Sequence, residues 1–241
     1  MSRSALALLC YVTDRGSLVA ARPNDALKDL ERRIAAAAAA GIDWIQIREK
    51  DLSGKECGLL AREAMQIVAG SLSPASAKVP VSSKAEVVRE HASTRILVND
   101  RLDIALAAQT RGVHLGETSL PVEEARRLVG WLCGEEDFLI GVSCHSLEAA
   151  KAGEHHGADY LFFGPVFSTP SKASYGEAQG LKRLTEVCHA VAVPVLAIGG
   201  ITLENAADCL SAGARGIAAI RLFQEAPDIA AVVRALRNLS A

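Results

Sequence analysis

Hydroxyl and ammonium groups cluster after one apolar run in a way that suits the binding of phosphate. The stretch from Tyr160 to Lys172 begins with four apolar residues, breaks at a Gly-Pro pair, and then brings Thr169, Ser171 and Lys172 close together. Two hydroxyls and an ammonium at the end of a buried strand can all donate hydrogen bonds to an anion. The stretch therefore predicts a loop that contacts a phosphate group.

Other apolar runs also end in polar side chains. Gln46, Arg48 and Lys50 alternate at the end of one run, so strand periodicity predicts that all three face one side, which is inward if Trp44 also points inward. The further strand-end candidates are Asn99, Asp100, His114, Ser143, His145, Gly199, Gly200, Ile220 and Arg221.

Each of these candidates has an ordinary structural explanation when it is taken alone. Asn99 and Asp100 could cap the helix that follows them, and the pair Gly199-Gly200 could only form a tight turn. His114 and His145 could be buried residues with satisfied hydrogen bonds. It is their joint occurrence at successive strand ends that favours a functional site.

The elements that must position these residues alternate regularly along the chain. Eight short runs rich in Val, Ile or Leu are each followed by a segment with helical periodicity, and the runs cover residues 8–12, 44–47, 95–98, 112–115, 138–142, 160–163, 193–198 and 216–220. Continuous apolar strands between helices predict a parallel sheet that helices cover. Eight such units in 241 residues favour a closed (β/α)₈ barrel. The alternative, an open doubly wound sheet, lacks a GxGxxG loop after its first strand.

A barrel of this type places its active site at the carboxyl ends of the strands. Phosphate sites commonly form in the loops after the seventh and eighth strands, which here contain Gly200 and Arg221. A second, cationic patch comes from Arg48, Lys50 and Lys172. These two patches predict either one substrate with two phosphates or two phosphorylated substrates.

Composition limits the classes of protein that the chain can represent. The net charge of −2 argues against a dedicated nucleic-acid or anionic membrane surface, and no apolar stretch approaches the length of about 20 residues that a membrane span requires. Six cysteines without a CxxC pair indicate reduced thiols in a cytoplasmic protein. We expect one barrel domain over residues 1–241, with a possible extra loop at 70–94.

Six motifs in chain order resemble those of thiamin phosphate synthase and its relative thiazole tautomerase. They are Gln-Ile-Arg-Glu-Lys at 46–50, Val-Asn-Asp at 98–100, Gly-Val-His-Leu-Gly at 112–116, Gly-Val-Ser-Cys-His at 141–145, Gly-Pro-Val-Phe-Ser-Thr-Pro-Ser-Lys at 164–172 and Ile-Gly-Gly-Ile at 198–201. The resemblance spans nearly the whole chain. It implies a barrel enzyme that joins hydroxymethylpyrimidine diphosphate to thiazole phosphate and releases pyrophosphate in thiamin biosynthesis. Mg²⁺ would be its cofactor. A homo-oligomer is a possible assembly.

The resemblance also implies roles for the residues that match these motifs. The pyrimidine diphosphate would be bound by Gln46, Arg48, Lys50 and Asn99. Asp100 would hold Mg²⁺, Lys172 would stabilise the departing pyrophosphate, and Ser143 would lie at the reacting centre. The thiazole phosphate would contact Thr169, Ser171 and the backbone N–H groups of Gly200, Ile220 and Arg221.

The chain departs from the synthase pattern at two positions. Ser119 stands where the synthases carry a second Mg²⁺-binding aspartate, and a serine is a poorer ligand for a hard dication than a carboxylate. Glu117, two residues earlier, is a candidate substitute. Arg221 stands where the family has a serine, a change that could strengthen phosphate binding.

The departure at Ser119 leaves two alternatives to a synthase. A thiazole tautomerase needs no metal and would use His145 as its acid and base, but its pattern favours Gly-His where this chain has Gly164-Pro165. A non-catalytic sensor of thiamin-pathway ligands could also use this barrel. The retained residues Gln46, Arg48 and Lys50 favour the synthase.

Overall fold

Eight parallel strands close into a barrel in chain order, which confirms the predicted fold. The computed structural model describes residues 6–18, 25–70, 94–132, 137–169 and 178–239. Its strands are β1 (Leu8–Val12), β2 (Trp44–Ile47), β3 (Arg95–Asn99), β4 (Gly112–Leu115), β5 (Leu139–Cys144), β6 (Tyr160–Phe163), β7 (Val195–Ile198) and β8 (Gly216–Ala219). Because β8 pairs with β1 in parallel, the sheet has no open edge.

Helices follow the strands and surround the barrel. They are α1 (Asp25–Ala39), α2 (Gly54–Gly70), α3 (Leu102–Ala107), α4 (Val122–Leu132), α5 (Leu147–His155), α6 (Gly180–Ala190), α7 (Ala206–Ser211), α8 (Arg221–Gln224) and α9 (Ile229–Asn238), with a 3₁₀ turn at Arg15–Ser17. The short helix α8 lies where the sequence predicts only the end of a strand. None of the helices in the described ranges is long and apolar enough to cross a membrane.

Local sequence signals determine where several helices begin and end. Gly41 has a φ of +78°, and Ile42 N–H donates to the carbonyl of Ala37, so α1 ends in the turn that a C′ glycine allows. Ser146 Oγ accepts a hydrogen bond from Ala149 N–H at 3.0 Å and caps α5. The predicted extra loop at 70–94 lies almost entirely outside the described residues.

Two apolar clusters share the core. The larger one fills the space between strands and helices, and the smaller one fills the barrel interior with Leu8, Cys10, Val12, Trp44, Leu97, Leu139, Tyr160, Phe162, Leu196 and Ala218. A Cβ atom at Gly141 would overlap the ring of Tyr160, so this glycine makes room for an aromatic residue on the barrel axis. Since side chains fill the interior, the carboxyl ends of the strands remain as the place for a site.

Candidate functional site

Polar residues at the ends of β2, β3 and β4 form one hydrogen-bonded chain, which we call the carboxylate cluster: Gln46, Asn99, Asp100, Gly116 and Ser119. Gln46 Nε2 donates to Asn99 Oδ1 at 2.7 Å, and Asn99 Nδ2 donates to Asp100 Oδ2 at 2.6 Å. Gly116 N–H donates to Asp100 Oδ1 at 3.0 Å. The carboxylate of Asp100 is thus oriented by donors on both of its oxygens.

Asp100 adopts an unusual backbone conformation at this point. Its φ is +60°, in the left-handed region where Asp and Asn are enriched among residues other than glycine. Its N–H donates to the carbonyl of His114 at 2.8 Å, which ties the end of β3 to β4. The side chain is exposed at the barrel mouth rather than buried beneath it.

Ser119 contacts Asp100 directly, at the position where the resemblance leads one to expect a second aspartate. Its hydroxyl donates to Asp100 Oδ1 and accepts from Gly116 N–H at 2.8 Å. A neutral hydroxyl can share a hydrogen bond with this carboxylate, whereas a second carboxylate here would repel it unless a cation lay between them. The candidate substitute Glu117 is exposed on the same loop, and its charge acts on Cys144.

The residues of the carboxylate cluster fit a Mg²⁺ ion that is shared with a substrate. The described ranges contain no group of three or more His, Cys, Asp or Glu residues that could hold a metal by themselves. Mg²⁺ is commonly held by one or two carboxylates together with substrate phosphates, so a single exposed carboxylate is sufficient on the protein side. Asp100, fixed by three neighbours, has the required chemistry.

Gln46 adds a buried acceptor to the cluster. The residue is 2% exposed, and its buried Oε1 has no hydrogen-bond partner among the residues that the structure describes. An unpaired buried carbonyl oxygen costs about 1–3 kcal/mol. This atom therefore favours a ligand that brings an N–H donor to the inner end of the cluster.

Arg48 and Lys50 lie beyond the end of β2, so strand alternation does not by itself set their directions. Between them, Glu49 is buried and faces β1, where its carboxylate accepts from Thr13 Oγ1 at 2.5 Å and from Arg15 N–H at 2.9 Å. Burial raises the pKa of Glu49, and these two hydrogen bonds oppose that shift. Glu49 thus anchors the short segment that carries both cations.

The centre of the barrel mouth holds a buried histidine between two hydroxyls. His114 Nδ1 lies 3.1 Å from Tyr160 Oη, and His114 Nε2 lies 2.9 Å from Ser143 Oγ. Burial raises the pKa of Tyr160 well above its ordinary value. Strand β5 extends two residues further than predicted, which makes Ser143 part of the sheet opposite Phe162.

The loops after β6 and β7 pack closely against each other at Gly200. This glycine has a φ of +67°, and a Cβ atom there would lie 2.8 Å from Phe167 Cβ and 2.8 Å from the carbonyl oxygen of Ser168. Gly199 also has a positive φ, of +94°. Asn205 Nδ2 donates to the carbonyl of Gly200 at 3.0 Å and holds the turn. The glycine pair is thus required by both backbone conformation and space.

Arg221 joins the loop after β8 to the loop after β6. Its guanidinium donates to Thr169 Oγ1 at 3.1 Å, and both residues lie at the barrel mouth. Ile220 precedes the first residue of α8 at the same edge. The structure therefore brings Thr169, Gly200 and Arg221 to three adjacent loops. Ser171 and Lys172 lie outside the described residues.

His145 has a partner within the fold. Its Nδ1 is hydrogen bonded to the carbonyl of Gly164, which only accepts, so Nδ1 carries the proton. The peptide bond between Gly164 and Pro165 is cis. This contact gives His145 a structural role in holding the loop after β6.

Sequence reasoning missed three residues that shape the site. The sequence predicts Tyr160 to be an apolar residue of a strand and Glu49 to be one of several charges in a loop. It predicts Asn205 to be an ordinary residue of a helix. Strand alternation could not have indicated the direction of Glu49, because Glu49 lies beyond the end of β2. Nothing in the chain order indicates that Tyr160 would reach His114 on another strand, whereas Asn205 contacts Gly200 within its own loop.

Comparison with known proteins agrees with this geometry. The family model described as thiamine monophosphate synthase matches residues 17–223. The thiamine-phosphate synthase of Methanospirillum hungatei is 42% identical over 201 residues, which cover 83% of this chain and 92% of that protein. The thiamine-phosphate synthase of Methanocella arvoryzae is 39% identical over 214 residues, which cover 88% and 86%.

A solved structure agrees as well. The thiamine phosphate pyrophosphorylase of Pyrococcus furiosus superposes with a TM-score of 0.74 at 29% identity and covers 97% of this chain and 95% of that chain. Sequence and structure thus match along most of the chain. The chain belongs to the thiamine monophosphate synthase family.

Proposed function

We propose that the protein is a transferase that joins hydroxymethylpyrimidine diphosphate to thiazole phosphate and releases pyrophosphate. The observation that carries this proposal is that the barrel mouth holds two separate sets of polar groups. The carboxylate cluster occupies the ends of β2 to β4, and the glycine and Arg221 loops follow β6 to β8. Ser143, on β5, lies between them. This arrangement suits two phosphorylated substrates that meet at the centre.

The pyrimidine diphosphate would occupy the side of the carboxylate cluster. The unpaired Gln46 Oε1 supplies a buried acceptor for the amino group of the pyrimidine. Asp100 would hold Mg²⁺ against the diphosphate, and Arg48 and Lys50 would neutralise the remaining charge. When bound, Mg²⁺ supplies charge neutralisation for the departing pyrophosphate.

The thiazole phosphate would occupy the opposite side. Arg221 offers a guanidinium and Thr169 a hydroxyl, while Gly200 allows the backbone to approach an anion without a side chain in the way. Ile220 and Ser171 are assigned to the same phosphate on the family pattern. A phosphate held here would leave the thiazole ring directed toward Ser143.

The chemistry requires positioning more than proton transfer. The thiazole nitrogen forms a bond to the methylene carbon of the pyrimidine, and the bond from that carbon to the diphosphate oxygen breaks. Negative charge develops on the leaving group, where Arg48, Lys50 and Lys172 would stabilise it. Holding both substrates at contact distance supplies much of the remaining rate enhancement.

The proposal is tested by assay of the purified protein with both substrates. Thiamin phosphate and pyrophosphate should form in equal amounts with Mg²⁺ present, and EDTA should abolish their formation. Formation of no thiamin phosphate together with interconversion of thiazole carboxylate tautomers would favour the tautomerase and contradict the synthase. Tight binding of the substrates without either reaction would favour a sensor.

Gly200→Ala should weaken the use of thiazole phosphate. The added Cβ meets Phe167 and Ser168 at 2.8 Å, so the loop that faces the phosphate must shift, and we expect KM for thiazole phosphate to rise about tenfold. Gly41→Ala is the matched control, since Gly41 also has a positive φ, of +78°, but open space around its Cβ position. It should lower Tm by about 2–4 °C, through backbone strain of about 1 kcal/mol, and leave KM unchanged. Equal KM values in the two variants would contradict the role of Gly200.

We also propose that residues 1–241 form one barrel domain that acts on small phosphorylated molecules and has no nucleic-acid partner. Magnesium as the cofactor belongs to this proposal, because Asp100 fits it. The cytoplasmic location and a homo-oligomeric state stay predictions.

A further inference from the structure

A row of three side chains, on β6, β4 and β5, leads from the barrel interior to its mouth. The Tyr160 hydroxyl lies 3.1 Å from His114 Nδ1, and His114 Nε2 lies 2.9 Å from Ser143 Oγ. Tyr160 is fully buried and His114 is 2% exposed, while Ser143 is half-buried and faces the site. The row therefore runs from the apolar interior to the reacting centre.

The positions of the protons in this row can be deduced from Tyr160, which is its buried end. A buried phenol must direct its O–H to an acceptor, and the hydrogen-bond partner of Tyr160 is His114 Nδ1. Burial raises the pKa of Tyr160 well above its ordinary value, so the phenol keeps its proton at neutral pH. Nδ1 must then be the unprotonated, accepting nitrogen of the imidazole.

Two aromatic rings lie beside the imidazole. The ring of Phe162 lies 4.1 Å from the His114 ring, centroid to centroid, and that of Tyr160 lies 5.6 Å away. A neutral ring that accepts at Nδ1 carries its proton on Nε2 and donates it to Ser143 Oγ.

We propose that Tyr160 is a positioning residue that holds His114 in the Nε2–H tautomer, so that Ser143 accepts from His114 and presents its own O–H to the substrate. This inference rests on the proposed function, in which Ser143 lies between the two substrates. It assigns Ser143 as a hydrogen-bond donor and not as a nucleophile, because a nucleophilic serine would donate its proton to the imidazole. The opposite tautomer would leave the buried Tyr160 proton without an acceptor in the described part of the chain.

The tautomer can be measured without any assay of activity. Long-range ¹H–¹⁵N correlation spectra of protein labelled with ¹⁵N-histidine distinguish the two tautomers, and the signals lost in His114→Gln identify His114. We expect the Nε2–H pattern in the native protein at neutral pH. Tyr160→Phe should remove this preference. An Nδ1–H pattern or a charged ring in the native protein would overturn the proposal, whatever reaction the protein catalyses.

Tyr11→Phe is the matched control. Tyr11 is also fully buried, and its hydroxyl donates to Gln224 Oε1 at 2.9 Å, on the helix side of β1 and away from His114. The control variant thus loses a buried hydroxyl and one hydrogen bond, as Tyr160→Phe does. We expect it to leave the His114 spectrum unchanged. A change of the same size in both variants would mean that the tautomer responds to stability alone.

Kinetics then test whether the effect acts through Ser143. Tyr160→Phe should lower kcat about tenfold, the loss that corresponds to one hydrogen bond of about 1.4 kcal/mol, with KM for both substrates nearly unchanged. In a Ser143→Ala background the same change should add no further loss, because the group that Tyr160 positions is gone. Additive losses in the double variant would contradict the proposal. Absence of all synthase activity would contradict the proposed function. The spectra would still show which tautomer His114 adopts.

Discussion

Asp100→Asn is expected to lower kcat/KM for thiamin phosphate formation by about a hundredfold or more. Asp100 is the carboxylate of its cluster. In the proposed function it would hold Mg²⁺ through that charge. Asparagine has nearly the same shape and also tolerates the φ of +60°, so the backbone can keep its conformation. The loss should therefore reflect charge rather than folding. It is measured as initial rate against Mg²⁺ concentration.

Asp103→Asn is the control for this prediction. Asp103 lies three residues further on, and its carboxylate is 66% exposed and paired with Arg101. Its replacement should leave kcat/KM within about twofold, since exposed ion pairs contribute little. If Asp100→Asn retains native activity and native Mg²⁺ dependence, then Asp100 is not the metal ligand.

Ser119→Asp tests the proposed metal site by adding a carboxylate beside Asp100 instead of removing one. A second carboxylate beside Asp100 should destabilise the metal-free protein by repulsion and raise its affinity for Mg²⁺. Thermal unfolding with and without Mg²⁺ measures both effects, and the gain in Tm on adding Mg²⁺ should be larger than in the native protein. A large increase in affinity would mean that the native site is incomplete. An unchanged response to Mg²⁺ would exclude this position from the metal site.

Arg221→Ala is expected to raise KM for thiazole phosphate by about 10- to 100-fold, because a hydrogen bond to a charged group contributes about 1.5–3 kcal/mol. KM for the pyrimidine diphosphate should not change, since Arg221 lies with Thr169 on the other side of the barrel mouth. Arg221→Lys should recover part of the affinity, as lysine keeps the charge but lacks the planar pair of donors. Steady-state kinetics with each substrate varied in turn measure both values.

Arg127→Ala controls for the loss of a surface cation. Arg127 is 70% exposed on α4 and pairs with Glu124 within one helix. Its removal should change neither KM, because an exposed pair of this kind contributes little. A rise in KM for the pyrimidine diphosphate in Arg221→Ala would contradict the assignment of the two sides.

The fold follows from patterns that act over short distances in the chain. Apolar runs separated by helical segments predict eight strand–helix units, and local signals such as the capping hydroxyl of Ser146 and the glycine at 41 appear where helices begin and end. Some element boundaries differ from the predicted ones because of tertiary contacts. Strand β5 continues to Cys144 because its last residues pair with β6, and α8 forms directly after β8.

Much of the candidate site could also be predicted, because parallel strands in a barrel all end at one face. This rule places Asp100, Ser143, Gly200 and Arg221 at the same mouth whatever their separation in the chain. It does not determine hydrogen-bond partners. That Ser119 donates to Asp100, and that Glu49 turns toward Thr13, depends on loop conformations that the spacing of residues leaves open.

The sequence by itself determined the barrel, the family resemblance and the residue types at the strand ends, since these depend on periodicity and on short motifs. Only the tertiary structure decided how those residues act on one another. Tyr160 belongs to an apolar run in the sequence, yet the closed barrel directs its hydroxyl to His114, 46 residues earlier in the chain. The loop after that run contacts Gly200 and Arg221 for the same reason. Such contacts are set by strand register and barrel closure, which no local segment of the chain contains.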